Sequence, residues 1–254
     1  MSHSLPIIDG HVTVGELTQF GLHSRPDDLL TQMDGLGIAM ALLGPADRWL
    51  AVDNQAGNEA IAGWIRTWPD RFRGYAAANP WYGPRAVAEL ERALDSGLSA
   101  LKLHPARQGF SLLDGLVNPL LEVAARRGVP VYVVTGSAVS AEPLQLAELA
   151  RQHPTVPFIM GVSGGGDFKL RDFVPSLGQA ANLYAETVGN APDSLTRIVQ
   201  RVGEGRVVFV SDSPFGAMDL ELGKLERLPV SAAARAAILG GNMARLLGLQ
   251  GKGE

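Results

Sequence analysis

The chain has no cysteine, which excludes disulfides and thiolate metal sites. It has no concentrated basic segment either. Lys and Arg total 22 against 26 Asp and Glu, for a net charge of −4 and a pI near 5.8. That balance argues against nucleic acid or an anionic membrane as a partner. No stretch approaches the ~18 apolar residues of a membrane span. The start, MSHSLPIIDG, lacks the apolar run of a signal peptide, so a cytoplasmic protein is expected. No linker, low-complexity tract or internal repeat divides the sequence. With 254 residues, 46% of them hydrophobic, one sizeable core and a single domain over 1–254 are expected.

What the chain does have is a series of short apolar runs: LPIID (5–9), GIAMALLG (37–44), FRGYAAA (72–78), SALKLH (99–104), VPVYVVT (129–135), VPFIMGV (156–162), ANLYAET (181–187) and RVVFVSD (206–212). Near-continuous apolarity suits parallel strands buried on both faces. Helical patterns fill the gaps. PRAVAELERALDSG starts on Pro84 and stops at Gly97. NPLLEVAARRG has Asn118 as cap, Pro119 next, Arg126 and Arg127 in the last turn and Gly128 as stop. Further helices are expected over 140–152, 193–202 and 231–247. Eight strand–helix units predict an α/β fold, a single (β/α)8 TIM-type barrel, with a doubly wound open sheet as the alternative.

In such a barrel the chemistry sits at the C-terminal ends of the strands. Reading those ends gives His11 and Thr13, two apart and so on one strand face. It then gives Lys102 and His104 with Arg107 and Gln108, followed by Thr135 and Ser137, the glycine run 164–166, Glu186 and Thr187, and Ser211, Asp212 and Ser213. Several of these have a plain structural alternative. His11 reads as a core imidazole, Asp212 as a loop cap, His104 and Arg107 as surface groups, and 164–166 as a tight turn rather than an anion cradle. Trp49, Trp81 and Tyr82 read equally as pocket lining or core.

The stretches IIDGHVT, MDGLGIAMALL, WPDRFRGYAAANP, SGLSALKLHPARQGF, GVPVYVVTGS, VPFIMGVSGGG, NLYAETVG, RVVFVSDSPFG and GGNMARLLGL, in this order, resemble the amidohydrolase-related (amidohydrolase 2) family nearly end to end. That family includes metal-dependent hydrolases and decarboxylases on this barrel. In its metal-dependent members, ligands stand at positions that read here His11, Thr13, Thr135, Val162 and Asp212. Thr13, Thr135 and Val162 stand where those members carry histidine, and a catalytic zinc site needs three protein ligands. The resemblance therefore implies a degenerate metal site and no cofactor, with His104 or Glu186 as the recruits through which a divalent ion would otherwise be held.

The function expected from these residues is metal-independent hydrolysis of a small carboxylate-bearing ester, lactone or amide. His11 and Asp212 form the acid–base pair. Lys102, His104, Arg107, Thr13 and Thr135 bind an anionic small-molecule substrate. Two alternatives stand beside it: a catalytically inactive barrel that binds a ligand or partner protein, and a decarboxylase or other lyase. Homo-oligomerisation is left open.

Overall fold

The computed structural model describes residues 6–136, 141–162 and 168–249. Ser137 and the glycine run 164–166 lie outside them. All eight expected strands are present: β1 (Ile7–Leu17), β3 (Ile38–Pro45), β4 (Phe72–Ala77), β5 (Ala100–Leu103), β6 (Val131–Thr135), β7 (Phe158–Val162), β8 (Leu183–Glu186) and β9 (Val207–Val208). They pair in parallel in chain order. The sequence reading missed β2 (Leu22–Ser24), which returns antiparallel along β1 and pairs Gly15 with Ser24. β1 is correspondingly longer than the five residues expected. Its polar tail (Gly15, Glu16) and the Thr18–Phe20 turn hide a hairpin from an apolar-run search.

The segment that follows β9 is also bonded through backbone to β1. Gly10 N donates to Phe209 O at 2.8 Å, Thr13 N to Ser213 O at 2.7 Å, and Asp212 N to His11 O at 3.2 Å. The segment after β9 thus runs beside the functional end of β1.

Strand side chains alternate between two apolar clusters, as the two-residue pleat requires. Val131 and Val133 of β6, Phe158 and Met160 of β7, and Val207 of β9 join the larger cluster with the helices. Tyr132, Val134, Ile159 and Val208 join a second cluster with Ile8, Leu42, Tyr75 and Ala100. On β1, Val12 and Val14 belong to the first cluster, so His11 and Thr13 face the other way.

Between the strands lie α1 (Pro26–Leu36), α2 (Asp47–Ala51), α3 (Asn54–Thr67), α4 (Pro84–Asp95), α5 (Pro105–Gln108), α6 (Asn118–Arg127), α7 (Pro143–Gln152), α8 (Phe168–Leu177), α9 (Pro192–Val202) and α10 (Met218–Glu226). Proline opens α1, α4, α7 and α9, where its missing N–H costs nothing. Asn118 is not the cap that the sequence suggests. It is the first residue of α6 and makes no capping bond, and its Oδ1 lies 3.3 Å from His153 Nε2.

The expected final helix over 231–247 is broken into α11 (Ala232–Ala236), a π-helical turn (Ala237–Gly241) and α12 (Asn242–Leu246). The turn packs directly on the start of β1. A side chain at Gly240 would lie 1.9 Å from Pro6 O. Asn242 Nδ2 meanwhile reaches Val207 O at 2.7 Å. The widened turn accommodates both contacts, and periodicity alone does not reveal it. Among the described residues no helix is long and apolar enough to cross a membrane.

Candidate active site

His11 leaves β1 into the space enclosed by the second cluster and is only 2% exposed. Its ring stacks parallel on Tyr132, centroids 4.4 Å apart, and tilts against Tyr75 at 5.7 Å. Both phenols are tied down. Tyr132 Oη donates to Glu186 Oε2 at 2.7 Å, and Tyr75 Oη donates to Gly10 O at 2.6 Å. Burial pushes both hydroxyls well up from their ordinary values, with the Glu186 charge adding. They therefore stay protonated and hold the imidazole between them.

The edge of the ring is set by Asp212. His11 Nδ1 lies 3.0 Å from Asp212 Oδ1. Asp212 adopts a left-handed backbone, φ 54°, a conformation that costs about 1–3 kcal/mol. Its carbonyl accepts from Phe215 N and Gly216 N, which holds that turn in place. Burial lowers the His11 pKa to about 4, with the Lys102 charge acting in the same sense and Asp212 opposing it. The neutral ring, with the Asp212 carboxylate against Nδ1, carries its proton there. Nε2 is then an acceptor. It is buried and has no hydrogen-bond partner.

Lys102, on β5, shares this space and is 4% exposed. A methyl group at Gly44 would lie 2.5 Å from His11 Nε2 and 3.2 Å from Lys102 Nζ. Glycine at the end of β3 is what leaves the gap between them. Burial lowers the ammonium to about 8, Asp212 resisting and Arg107 assisting.

Asp9 fixes the two strand ends that carry the pair. It is fully buried, and Oδ1 accepts from His11 N at 3.2 Å and Ser211 N at 3.0 Å. Burial raises its carboxyl to about 7, and Oδ2 is buried without a partner.

His11, Lys102 and Asp212 therefore converge, and Thr13 shares the strand face of His11. Arg107 lies close enough for its charge to lower both Lys102 and His104, and its guanidinium is ion-paired with Asp47 at the start of α2. His104 stands at the N-cap of α5 and is driven down to about 3 by burial and by the charges of Lys102 and Arg107. Its Nδ1 is buried without a partner. Thr135 has the strand parity of Val131 and Val133, the helix-side residues, and its hydroxyl donates to Gly161 O at 2.9 Å. Sequence reading assigned no part to Asp9, Tyr75 or Tyr132. A signal for Tyr132 was there: it is the polar-tipped residue on the inner parity of an otherwise apolar run.

The amidohydrolase family model matches residues 8–249, and the chain belongs to that family. A search of curated proteins gives no match. Solved structures of the same fold include a dihydroxybenzoic acid decarboxylase from Polaromonas with bound manganese and 2-nitroresorcinol. It has TM-score 0.75 and 19% identity, and 96% of this chain and 97% of that one are covered. Another is a 5-carboxyvanillate decarboxylase from Novosphingobium aromaticivorans with manganese and 4-hydroxy-3-methoxy-5-nitrobenzoic acid, at TM-score 0.77, 13% identity and 97% coverage of both chains. A third is an uncharacterised TIM-barrel protein from Bordetella bronchiseptica, at TM-score 0.74, 19% identity and coverage of 98% and 100%.

The manganese in the two decarboxylases overturns the expectation, drawn from the missing imidazoles, that a chain of this kind has no cofactor. The donors described here do not by themselves fit such an ion. Among the described residues no three His, Cys, Asp or Glu side chains cluster as ligands, and the Lys102 ammonium faces the gap at His11 Nε2. Residues 137–140 and 163–167, which follow β6 and β7, are outside that statement.

Proposed function

We propose that this member of the amidohydrolase family is an enzyme that hydrolyses an ester, lactone or amide bond in a small molecule bearing a carboxylate. The observation that carries the reading is the His11 imidazole. It is bonded to Asp212 through Nδ1, and its unpartnered Nε2 faces the Lys102 ammonium. In this reading Nε2 takes a proton from water, and the Asp212 carboxylate stabilises the imidazolium that forms. Lys102 offsets the negative charge that develops on the attacked carbonyl oxygen. Thr13, on the same strand face, holds the water or a substrate oxygen. The reading takes these groups to stand at the C-terminal mouth of one closed (β/α)8 barrel over 1–254. The backbone bonds between residues 209–213 and β1 support that closure.

A panel of carboxylate-bearing esters, lactones and amides, assayed with and without added manganese, tests the proposal. Once one is turned over, His11→Gln and Asp212→Asn should each lower kcat/KM by ~10² or more. Turnover unchanged in both variants would remove the pair from the chemistry, and no turnover of any compound would favour a binding scaffold. Decarboxylation is the second reading, favoured by the solved decarboxylases of the same fold. Release of carbon dioxide without loss of an alcohol or amine would select it.

A further inference from the structure

Lys102 Nζ makes one hydrogen bond, to Pro45 O at 3.3 Å. Among the described residues no carboxylate oxygen lies within 4.0 Å of it. A lysine buried for its charge alone is normally paired, because an unpaired buried ammonium is costly. This one stands at a strand end, facing an unpartnered imidazole nitrogen across the gap left by Gly44. A desolvated amine beside a proton acceptor, with a second cation nearby, is the arrangement of an imine-forming nucleophile.

We infer that Lys102 condenses with a small ketone or aldehyde, and that the site forms a covalent imine with carbonyl compounds. The lowered ammonium, about 8, supplies a neutral fraction near pH 7. The amine adds to the carbonyl carbon. The C–N bond forms as the carbonyl electron pair moves to oxygen. The proton lost from nitrogen passes by His11 Nε2 to that oxygen. Loss of the hydroxyl as water, its second proton again relayed through His11, leaves the imine. Amine plus carbonyl gives imine plus water, with no oxidant or reductant. In a carbonyl acid with its carboxylate two carbons away, the protonated imine would accept the electron pair released with carbon dioxide. The inference stands apart from the hydrolytic proposal, which needs Lys102 only as a charge.

The test is reductive trapping of the whole chain with pyruvate, acetoacetate and propionaldehyde in turn, each with cyanoborohydride, read by intact mass and peptide mapping. The chain has four lysines, so the map is simple. Lys224, ion-paired with Glu221 and bonded to Thr187 O and Asn190 O, is an internal control. The expected result is one reduced adduct, on Lys102. It should be absent from Lys102→Met and form ~10-fold or more slowly in His11→Gln. No adduct with any of the three carbonyls, or labelling of Lys224 as fast as Lys102, would overturn the inference. If Lys102→Met fails to fold, Lys102→Arg takes its place, and the wild-type map decides the site in any case. Hydrolysis of an ester by a protein that traps no carbonyl would leave the proposed function standing and this inference refuted.

Discussion

Gly44→Ala is the sharpest structural perturbation of the site. Gly44 has no left-handed backbone, so alanine fits the strand and only the added methyl matters. That methyl would sit 2.5 Å from His11 Nε2 and 3.0 Å from His11 Cδ2, well inside van der Waals contact. The ring cannot retreat freely, because it is stacked on Tyr132 and bonded to Asp212. Overpacking of this kind costs about 1–3 kcal/mol. For a chain of this size each kcal/mol lowers the melting temperature by about 2–4 °C, so a fall of roughly 2–12 °C is expected. The effect on catalysis should be larger in proportion. The methyl occupies the space where a water or substrate oxygen meets Nε2, and kcat/KM should fall by ~10² or more. Thermal melting followed by circular dichroism reads the first quantity and steady-state kinetics the second. A Gly44→Ala protein with wild-type melting and wild-type turnover would show that Nε2 does not face that gap, and the site as argued would fail.

Two pH dependences follow. The kcat/KM profile should be bell-shaped: it rises through about 4 as His11 becomes neutral and able to accept a proton, and falls through about 8 as Lys102 loses its charge. A single limb at the ordinary imidazole value would contradict this assignment. Asp9 bears on stability. Its carboxyl ionises at 3.8 when exposed but at about 7 in the fold, so the unfolded chain releases that proton first and stability falls as pH rises between those values. Asp9→Asn has no proton to lose. Its melting temperature relative to wild type should be higher at pH 8 than at pH 5, and a difference that stays constant or reverses would count against the burial argument.

The strand layout was legible because parallel strands buried on both faces are written as apolar runs, and proline and glycine bracket several helices between them. The β1–β2 hairpin was not, because a polar solvent-side strand has no such run. The π-helical turn was not, because its cause is contact with Pro6 and Val207, distant in sequence. At the site, strand parity correctly put His11 and Thr13 on one face, and the resemblance paired His11 with Asp212. Parity also separates Thr135 from them, a distinction that a strand-end reading overlooks. The ion pair of Arg107 with Asp47 was not legible, because nothing in the local sequence shows Asp47 arriving from another element. The expectation of a chain without a cofactor rested on counting imidazoles, and that count does not see what solved relatives of the fold hold.

The most direct test of the acid–base pair needs no substrate. In protein labelled with ¹⁵N-histidine, the His11 ring should appear as a neutral imidazole protonated on Nδ1. It should not titrate until the pH approaches about 4, and Asp212→Asn should change the Nδ1 signal. A His11 ring that titrates at the ordinary value of 6.5, or that carries its proton on Nε2, would contradict the account.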